Sequence, residues 1–334
     1  MLILGIETSC DETAASVVRD GTEILSNCVS SSLKYHRRFG GVIPEIATRH
    51  HVENIDKVVT RSLHDAGRAI EDVDAVAVTQ GPGLVGALLS GISCAKAMAF
   101  GLAIPLIAVD HLKAHVYSAM MRKDVPQFPF IGLVISGGHT RLCLVKDFDA
   151  FAVLGDTLDD AIGEAYDKVA KILGMGYPGG PIIDRLAKKG DPNAIKFTCR
   201  PINGTLDFSF SGIKTAVLYY MKRQATSDKR QVADVAASFQ EAALKVIVKN
   251  CLKAMAAHKI NTIVVGGGVS ANSRFRQMIA REAEFKKFKT YFPPLDLCSD
   301  NAAMIAGLAY RMFKKGARAA LDVTAKLKGG GDDW

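Results

Sequence analysis

His111 and His115 stand four residues apart in the stretch Asp110-His111-Leu112-Lys113-Ala114-His115-Val116. On a helix this spacing sets both imidazoles on one face, a turn apart, and such a pair can share one metal ion. The same spacing arises where two histidines lie on a helix surface or are hydrogen-bonded in a core, and the pair by itself leaves these readings open. A short apolar run, Ile104 to Val109 with Pro105 near its start, leads into the pair and reads as a buried strand. The histidines therefore follow the carboxyl end of a strand, where open α/β sheets hold their ligands. A zinc protease would need glutamate directly after the first histidine; Leu112 stands there, so the general base of that chemistry is missing.

The elements around the pair form a repeating pattern. Leu2 to Glu7 reads as an apolar strand ending in an acid, followed by the polar turn Thr8 to Thr13. A second strand from Ala14 to Arg19 and a third from Glu23 to Ser30 complete a hairpin meander. Phe130 to Val145 repeats the opening: strand, the turn Ser136-Gly137-Gly138-His139-Thr140, strand. Ser9 and Thr13 match Ser136 and Thr140, which predicts two lobes of common origin, each offering backbone N–H groups and hydroxyls to a phosphate chain. Pro44 to about Ala66 has helical spacing. Gly81-Pro82-Gly83-Leu84-Val85-Gly86 is formally G-x-G-x-x-G, but a tight glycine turn opening a packed helix suits it better than dinucleotide binding. Gly174 to Pro181 reads as a fixed close-approach loop. Gly266-Gly267-Gly268, between a strand and a helix, lets backbone approach a flat or anionic ligand. Lys34 to Gly41 is a basic loop with two aromatic rings, read either as a nucleic-acid contact or as a solvated loop. Asp300 stands where a last helix begins and reads as its cap.

The bulk properties narrow the class. With 334 residues, 49% of them hydrophobic, the chain has ample core for two lobes. Glycines, serines and Lys96 break the longest apolar run, so no membrane span is expected. Met1 to Gly5 lacks a basic region and a cleavage site, so no secretory leader is expected. Seven cysteines without a CxxC pair predict reduced thiols and a cytoplasmic protein. The net charge of +8 permits a nucleic-acid partner.

Taken in order, the motifs resemble the tRNA N6-adenosine threonylcarbamoyltransferase family, formerly labelled O-sialoglycoprotein endopeptidase. The resemblance runs from Gly5 to about Gly307. It is carried by Gly5 to Thr13, Phe39 to Glu45, Gln80 to Gly83, His111-x-x-x-His115, Val134 to Thr140, Tyr166 to Ala170, Gly176 to Pro181, Phe208 to Thr215, Gly266 to Asn272 and Ser299-Asp300-Asn301. Its length, with no fused kinase, is that of the bacterial and organellar branch. Two departures stand out: Lys113-Ala114 replace a usual Glu-Gly, and Ala103 replaces a usual Asn or Asp.

The resemblance implies an α/β fold of the actin/Hsp70/sugar-kinase type, two ribonuclease-H-like lobes with nucleotide and metal in the cleft between them. It implies residues 1–125 plus 300–325 as the N-terminal lobe and 126–299 as the C-terminal lobe; the tail, 326–334, reads as mobile. The implied reaction moves a threonylcarbamoyl group from L-threonylcarbamoyl-adenylate to N6 of adenosine 37 in tRNAs reading codons that begin with adenine, with release of AMP. His111, His115 and Asp300 are the implied ligands of one iron(II) or zinc ion. Val134, Ile135, Ser136, Gly137, Gly138, Asp167, Gly180, Asp184 and Asn272 are the implied contacts of the adenine nucleotide or adenylate, and Gly267 belongs with them as part of the glycine triplet. Asp11 is expected to be the catalytic base, with Glu12 second, against a loop-capping role. Lys34, Arg37 and Arg38 are the expected tRNA contacts. Implied partners are tRNA, through its anticodon arm, with either a degenerate paralogue and a small ATPase or a second copy of the chain. A small-metabolite kinase of the same fold is the alternative, and a metalloprotease a weaker one.

Overall fold

The computed structural model describes residues 1–122, 124–223 and 228–327. The chain divides into two compact units: residues 1–125, 147–150 and 293–334, and residues 126–146 with 151–292. The last crossing between them thus lies at Pro293, not at residue 300. The 3-10 turn Leu295–Leu297 accounts for this: it is tied to Asn301 by a bond from Nδ2 to the Leu297 carbonyl (3.3 Å), so it travels with the first unit's last helix.

In the first unit, β1 (Leu2–Glu7), β2 (Glu12–Arg19), β3 (Glu23–Ser31), β4 (Ala75–Gly81) and β5 (Leu106–Asp110) form one sheet in the order β3-β2-β1-β4-β5. The first three strands are antiparallel, and β4 and β5 run parallel to β1. Being central, β1 is apolar on both faces, and its residues from Ile3 to Glu7 are buried. The helices of this unit are α1 (Leu33–His36), α2 (Pro44–Asp65), α3 (Val85–Gly101), α4 (His111–Ser118) and, last in the chain, α10 (Ala302–Lys314). Helix α10 lies directly on β1. A Cβ added at Gly5 would meet the Ala302 carbonyl oxygen at 2.4 Å, so only glycine permits that approach.

The second unit holds β6 (Phe130–Ile135), β7 (Thr140–Val145), β8 (Phe151–Asp156), β9 (Thr262–Gly266) and β10 (Lys289–Tyr291) in the order β10-β9-β6-β7-β8. This is the strand order of the first unit: β6 stands for β1, β7 for β2, β8 for β3, β9 for β4 and β10 for β5. The hairpin repeat read from the sequence is thus a repeat of the whole sheet. Its helices are α5 (Ile162–Ile172), α6 (Gly179–Ala187), α7 (Ser211–Arg223), α8 (Lys229–His258) and α9 (Ser273–Lys286). Their apolar faces join the strands in one core that contains Phe208, Phe210 and Phe239.

Two local expectations change. The glycine- and proline-rich stretch from Gly174 is not wholly loop, because α6 starts inside it at Gly179. The expected mobile tail begins too early at 326: the Lys326 N–H donates to the Gln80 carbonyl oxygen at 2.8 Å. The rest of that tail, 328–334, lies outside the described residues. Among the described residues no helix is long and apolar enough to cross a membrane, and all seven cysteines are free thiols.

Candidate functional site

Strand β5 ends at Asp110, whose carboxylate caps α4 by accepting from the Leu112 and Lys113 N–H groups, each at 2.9 Å. That cap starts the helix at His111 and sets His115 one turn later. The two rings lie 4.5 Å apart, edge to face, and both side chains are buried. Asp300 joins them from the loop before α10. Its Oδ1 is 3.1 Å from His115 Nε2 and 3.6 Å from His111 Nε2. The capping role expected of Asp300 is taken by Asn301, whose Oδ1 accepts from the Met304 N–H at 3.0 Å. Asp300 is thereby left to face the histidines.

The three ligand atoms lie within 4.8 Å of one another. Both nitrogens of His115 are fully buried yet make no hydrogen bond of good geometry; the Nε2–Asp300 approach is close but poorly aligned. Two imidazoles and a carboxylate with an unsatisfied buried nitrogen are the donor set of a mixed N/O metal site. The charges fit a cation as well. Burial works against an imidazolium at His111, but the carboxylates of Glu7 and Asp300 raise it to about 9. Burial, with His111 beside it, pushes His115 down. Without a metal, then, a proton on His111 supplies the positive charge that the two carboxylates require.

A buried carboxylate stands behind the cluster. Glu7 Oε2 accepts from His111 Nδ1 at 2.9 Å and from the Thr79 hydroxyl at 2.6 Å, while Oε1 accepts from the Ser9 N–H. Burial pushes the Glu7 carboxyl up; the His111 charge and hydrogen bond outweigh it and leave the carboxyl below its usual range. The sequence reading passed over Glu7, Thr79 and Ser9 as elements of this site. The one available signal was an acid closing an otherwise apolar central strand.

The turn that begins at Ser9 is pinned at three successive carbonyls. Ser9 accepts from Leu84 N–H (2.8 Å), Cys10 from His51 Nε2 (2.9 Å), and Asp11 from both the N–H and the hydroxyl of Ser32 (2.9 Å each). The Thr13 hydroxyl lies 2.8 Å from His51 Nδ1. Thr13 is fully buried, as is Thr140, whose hydroxyl accepts from the Ile162 N–H at 2.9 Å. Neither hydroxyl is presented outward as the repeat suggested; both hold the hairpins to helices. Glu12 Oε1 accepts from the Ser31 hydroxyl at 3.1 Å. Burial, then the like charges of Asp11 and Asp300, push the Glu12 carboxyl well up. Burial also drives the Cys10 thiol up, away from thiolate chemistry. Lys34, Arg37 and Arg38 are exposed on and just beyond α1, with Lys34 over Tyr35 and Arg38 over Phe39.

In the second unit the expected nucleotide residues gather through hydrogen bonds around two helix N-termini. Asp167 Oδ1 accepts from the Gly179 N–H at 2.6 Å, beside Gly180 at the start of α6. Asp184 accepts from the Ser273 hydroxyl at 3.0 Å at the start of α9. Asn272 caps α9, and its Nδ2 reaches Gln240 Oε1 at 2.8 Å and the Tyr166 hydroxyl at 3.4 Å. Val134 and Ile135 are buried in β6; Gly137 and Gly138 are exposed beyond it. Gly267 has a simpler reason than ligand approach. Its φ is +89°, and a Cβ there would meet the Ile135 carbonyl oxygen at 2.4 Å, so a side chain would collide with β6 itself.

A family model for TsaD, tRNA N6-adenosine threonylcarbamoyltransferase, matches residues 23–307. The curated protein of that name from Syntrophus aciditrophicus is 47% identical over 326 residues, covering 97% of this chain and 96% of the relative. That from Geotalea uraniireducens is 52% identical over 309 residues, covering 92% and 90%. This chain belongs to the tRNA N6-adenosine threonylcarbamoyltransferase family. It is a transferase. The fold extends beyond the family. The activator of 2-hydroxyisocaproyl-CoA dehydratase from Clostridium difficile, solved with bound ADPNP, superimposes with a TM-score of 0.55 at 15% identity, covering 96% of this chain and 99% of that one. HypF from T. kodakarensis gives 0.62 at 15% identity, covering 94% of this chain and 48% of that one. Both likenesses concern the fold alone, which is of the actin/Hsp70/sugar-kinase type.

Proposed function

We propose that this chain transfers the threonylcarbamoyl group of L-threonylcarbamoyl-adenylate to N6 of adenosine 37 in tRNAs that read codons beginning with adenine. The observation that carries the reading is the meeting of His111, His115 and Asp300 in a chain of this family. These three residues would hold one iron(II) or zinc ion, which as a Lewis acid would polarise the carbamoyl carbonyl and steady the phosphate. In the reaction N6 attacks the carbamoyl carbon, and the bond from that carbon to the phosphate oxygen breaks. AMP leaves with the electron pair and N6 loses a proton. Asp11 is assigned as the acceptor of that proton, a role worth roughly 10²–10⁴-fold. Glu12, its carboxyl pushed well up by burial, is the second candidate for that role. The loop carbonyls pinned by Leu84, His51 and Ser32 hold the Asp11 backbone in place.

The adenosine part of the donor is assigned to Asp167, Gly180, Asp184 and Asn272, with its phosphate towards Val134 to Gly138. Gly267 supports this region through its packing on β6. Exposed Lys34, Arg37 and Arg38 are assigned to the phosphates of the anticodon arm, which position the substrate. The chain would act in the cytoplasm, either with a degenerate paralogue and a small ATPase or as a homodimer. A small-metabolite kinase would transfer phosphate from ATP and has no use for the histidine pair. A protease lacks its base at Leu112.

Product analysis separates the readings. We expect AMP release from the adenylate that depends on tRNA and falls to background in a chelator-treated sample and in His111→Ala. Release that ignores tRNA, or ADP formed from ATP with a small acceptor, would overturn the assignment.

A further inference from the structure

We infer that Glu7 is the positioning residue that makes His111 a metal ligand, by fixing which imidazole nitrogen carries the proton. The inference rests on the metal reading of His111, His115 and Asp300. Glu7 is fully buried in an otherwise apolar strand. A carboxylate in that position is costly unless all its oxygens are satisfied. Its two oxygens meet three donors from three elements: the Ser9 N–H, the Thr79 hydroxyl at 2.6 Å and His111 Nδ1 at 2.9 Å. The Ser9 N–H always donates. A carboxylate can only accept, so Nδ1 must carry hydrogen. Nε2, the nitrogen that faces Asp300 at 3.6 Å, is then the one whose proton a metal would displace and whose lone pair would ligate. A carboxylate bonded to the far nitrogen also increases the ligand's basicity and fixes the plane of its ring.

Glu7→Gln preserves shape and reverses this logic. If the amide oxygen serves the Ser9 N–H, the NH₂ group faces Thr79 and His111. Nδ1 must then accept, and the proton moves to Nε2, where it blocks the metal. If the amide is flipped, its NH₂ opposes the Ser9 N–H, donor against donor. The flipped arrangement would leave an acceptor facing His111 but carries that clash, so the first is favoured, and with it a His111 that does not ligate, although the variant touches no metal.

The test uses the full-length protein and zinc(II) alone, titrated against a chromophoric chelator. We expect Glu7→Gln to weaken zinc binding by about 10–100-fold, with thermal unfolding recorded alongside. In the zinc-loaded parent, ¹⁵N NMR should show the His111 proton on Nδ1. Parent-like zinc affinity in Glu7→Gln, where His111→Ala loses binding, overturns the inference and leaves the metal reading standing. Equal zinc binding by parent and His111→Ala overturns the metal reading and the inference with it. If the variant does not fold, the parent spectrum decides alone: a proton found on Nε2 of His111 overturns the proposal.

Discussion

Ala103 shows what one departure from the family pattern does. Helix α3 ends at Gly101, and the Ala103 and Ile104 N–H groups turn back to the carbonyls of Phe100 (3.2 Å) and Ala99 (3.0 Å). This is the paired helix-ending motif whose first residue beyond the cap is left-handed, and Ala103 has φ +53°. Alanine is strained there, whereas Asn or Asp, usual in the family at this position, tolerates it. Ala103→Asn should therefore raise stability by about 0.5–1 kcal/mol, read as a higher urea midpoint at unchanged slope. A midpoint that falls would show that the turn is held by something other than its backbone preference. The second departure is milder: Ala114 is buried in α4 between the two histidines, and Lys113 joins the Asp110 cap through its backbone.

At the scale of elements, the turn between β1 and β2 depends on a residue from α2. The Cys10 carbonyl can only accept, so His51 Nε2 must donate to it, and His51 Nδ1 then accepts from the Thr13 hydroxyl. Burial pushes His51 down, which keeps the ring neutral and this pattern intact at working pH. Displacing a carboxylate by an ångström can cost about a hundredfold in rate. His51→Phe should thus lower kcat by about tenfold or more and leave KM for tRNA within twofold, while His51→Gln, which keeps a donor for the carbonyl, should recover most of the loss. Loss of affinity without loss of kcat would detach the clamp from the chemistry. Most of the strands (β8 and β10 went unread), the start of α2 at Pro44 and the helical setting of the histidine pair were legible in the sequence, because each rests on local spacing. The Glu7–His111 bond spans 104 positions and the Cys10–His51 bond 41, and no local pattern announces either. The inward turn of Thr13 and Thr140 was hidden for the same reason: a hydroxyl in a polar turn looks available until a helix is packed against it.

On the scale of the whole molecule, two sheets with one strand order carry different chemistry. The first unit gathers His111, His115 and Asp300 beside further acidic residues; the second gathers Asp167, Asp184 and Asn272 around helix starts. The Ser-x-x-x-Thr repeat foretold the duplication because both hairpins must begin in the same way, and it foretold nothing of the division of labour, which lies in residues that do not repeat. Family membership supplies the tRNA modification, and the proposed chemistry rests on buried His111 and His115 with half-buried Asp300 beside them. The most direct measurement is mass spectrometry of tRNA nucleosides after incubation of the purified protein, with its helper proteins, with L-threonylcarbamoyl-adenylate and unmodified tRNA. The account predicts threonylcarbamoyladenosine at position 37, one AMP per modified base, and none with His111→Ala. Unmodified tRNA from the complete mixture, or modification that survives loss of both His111 and His115, would contradict it.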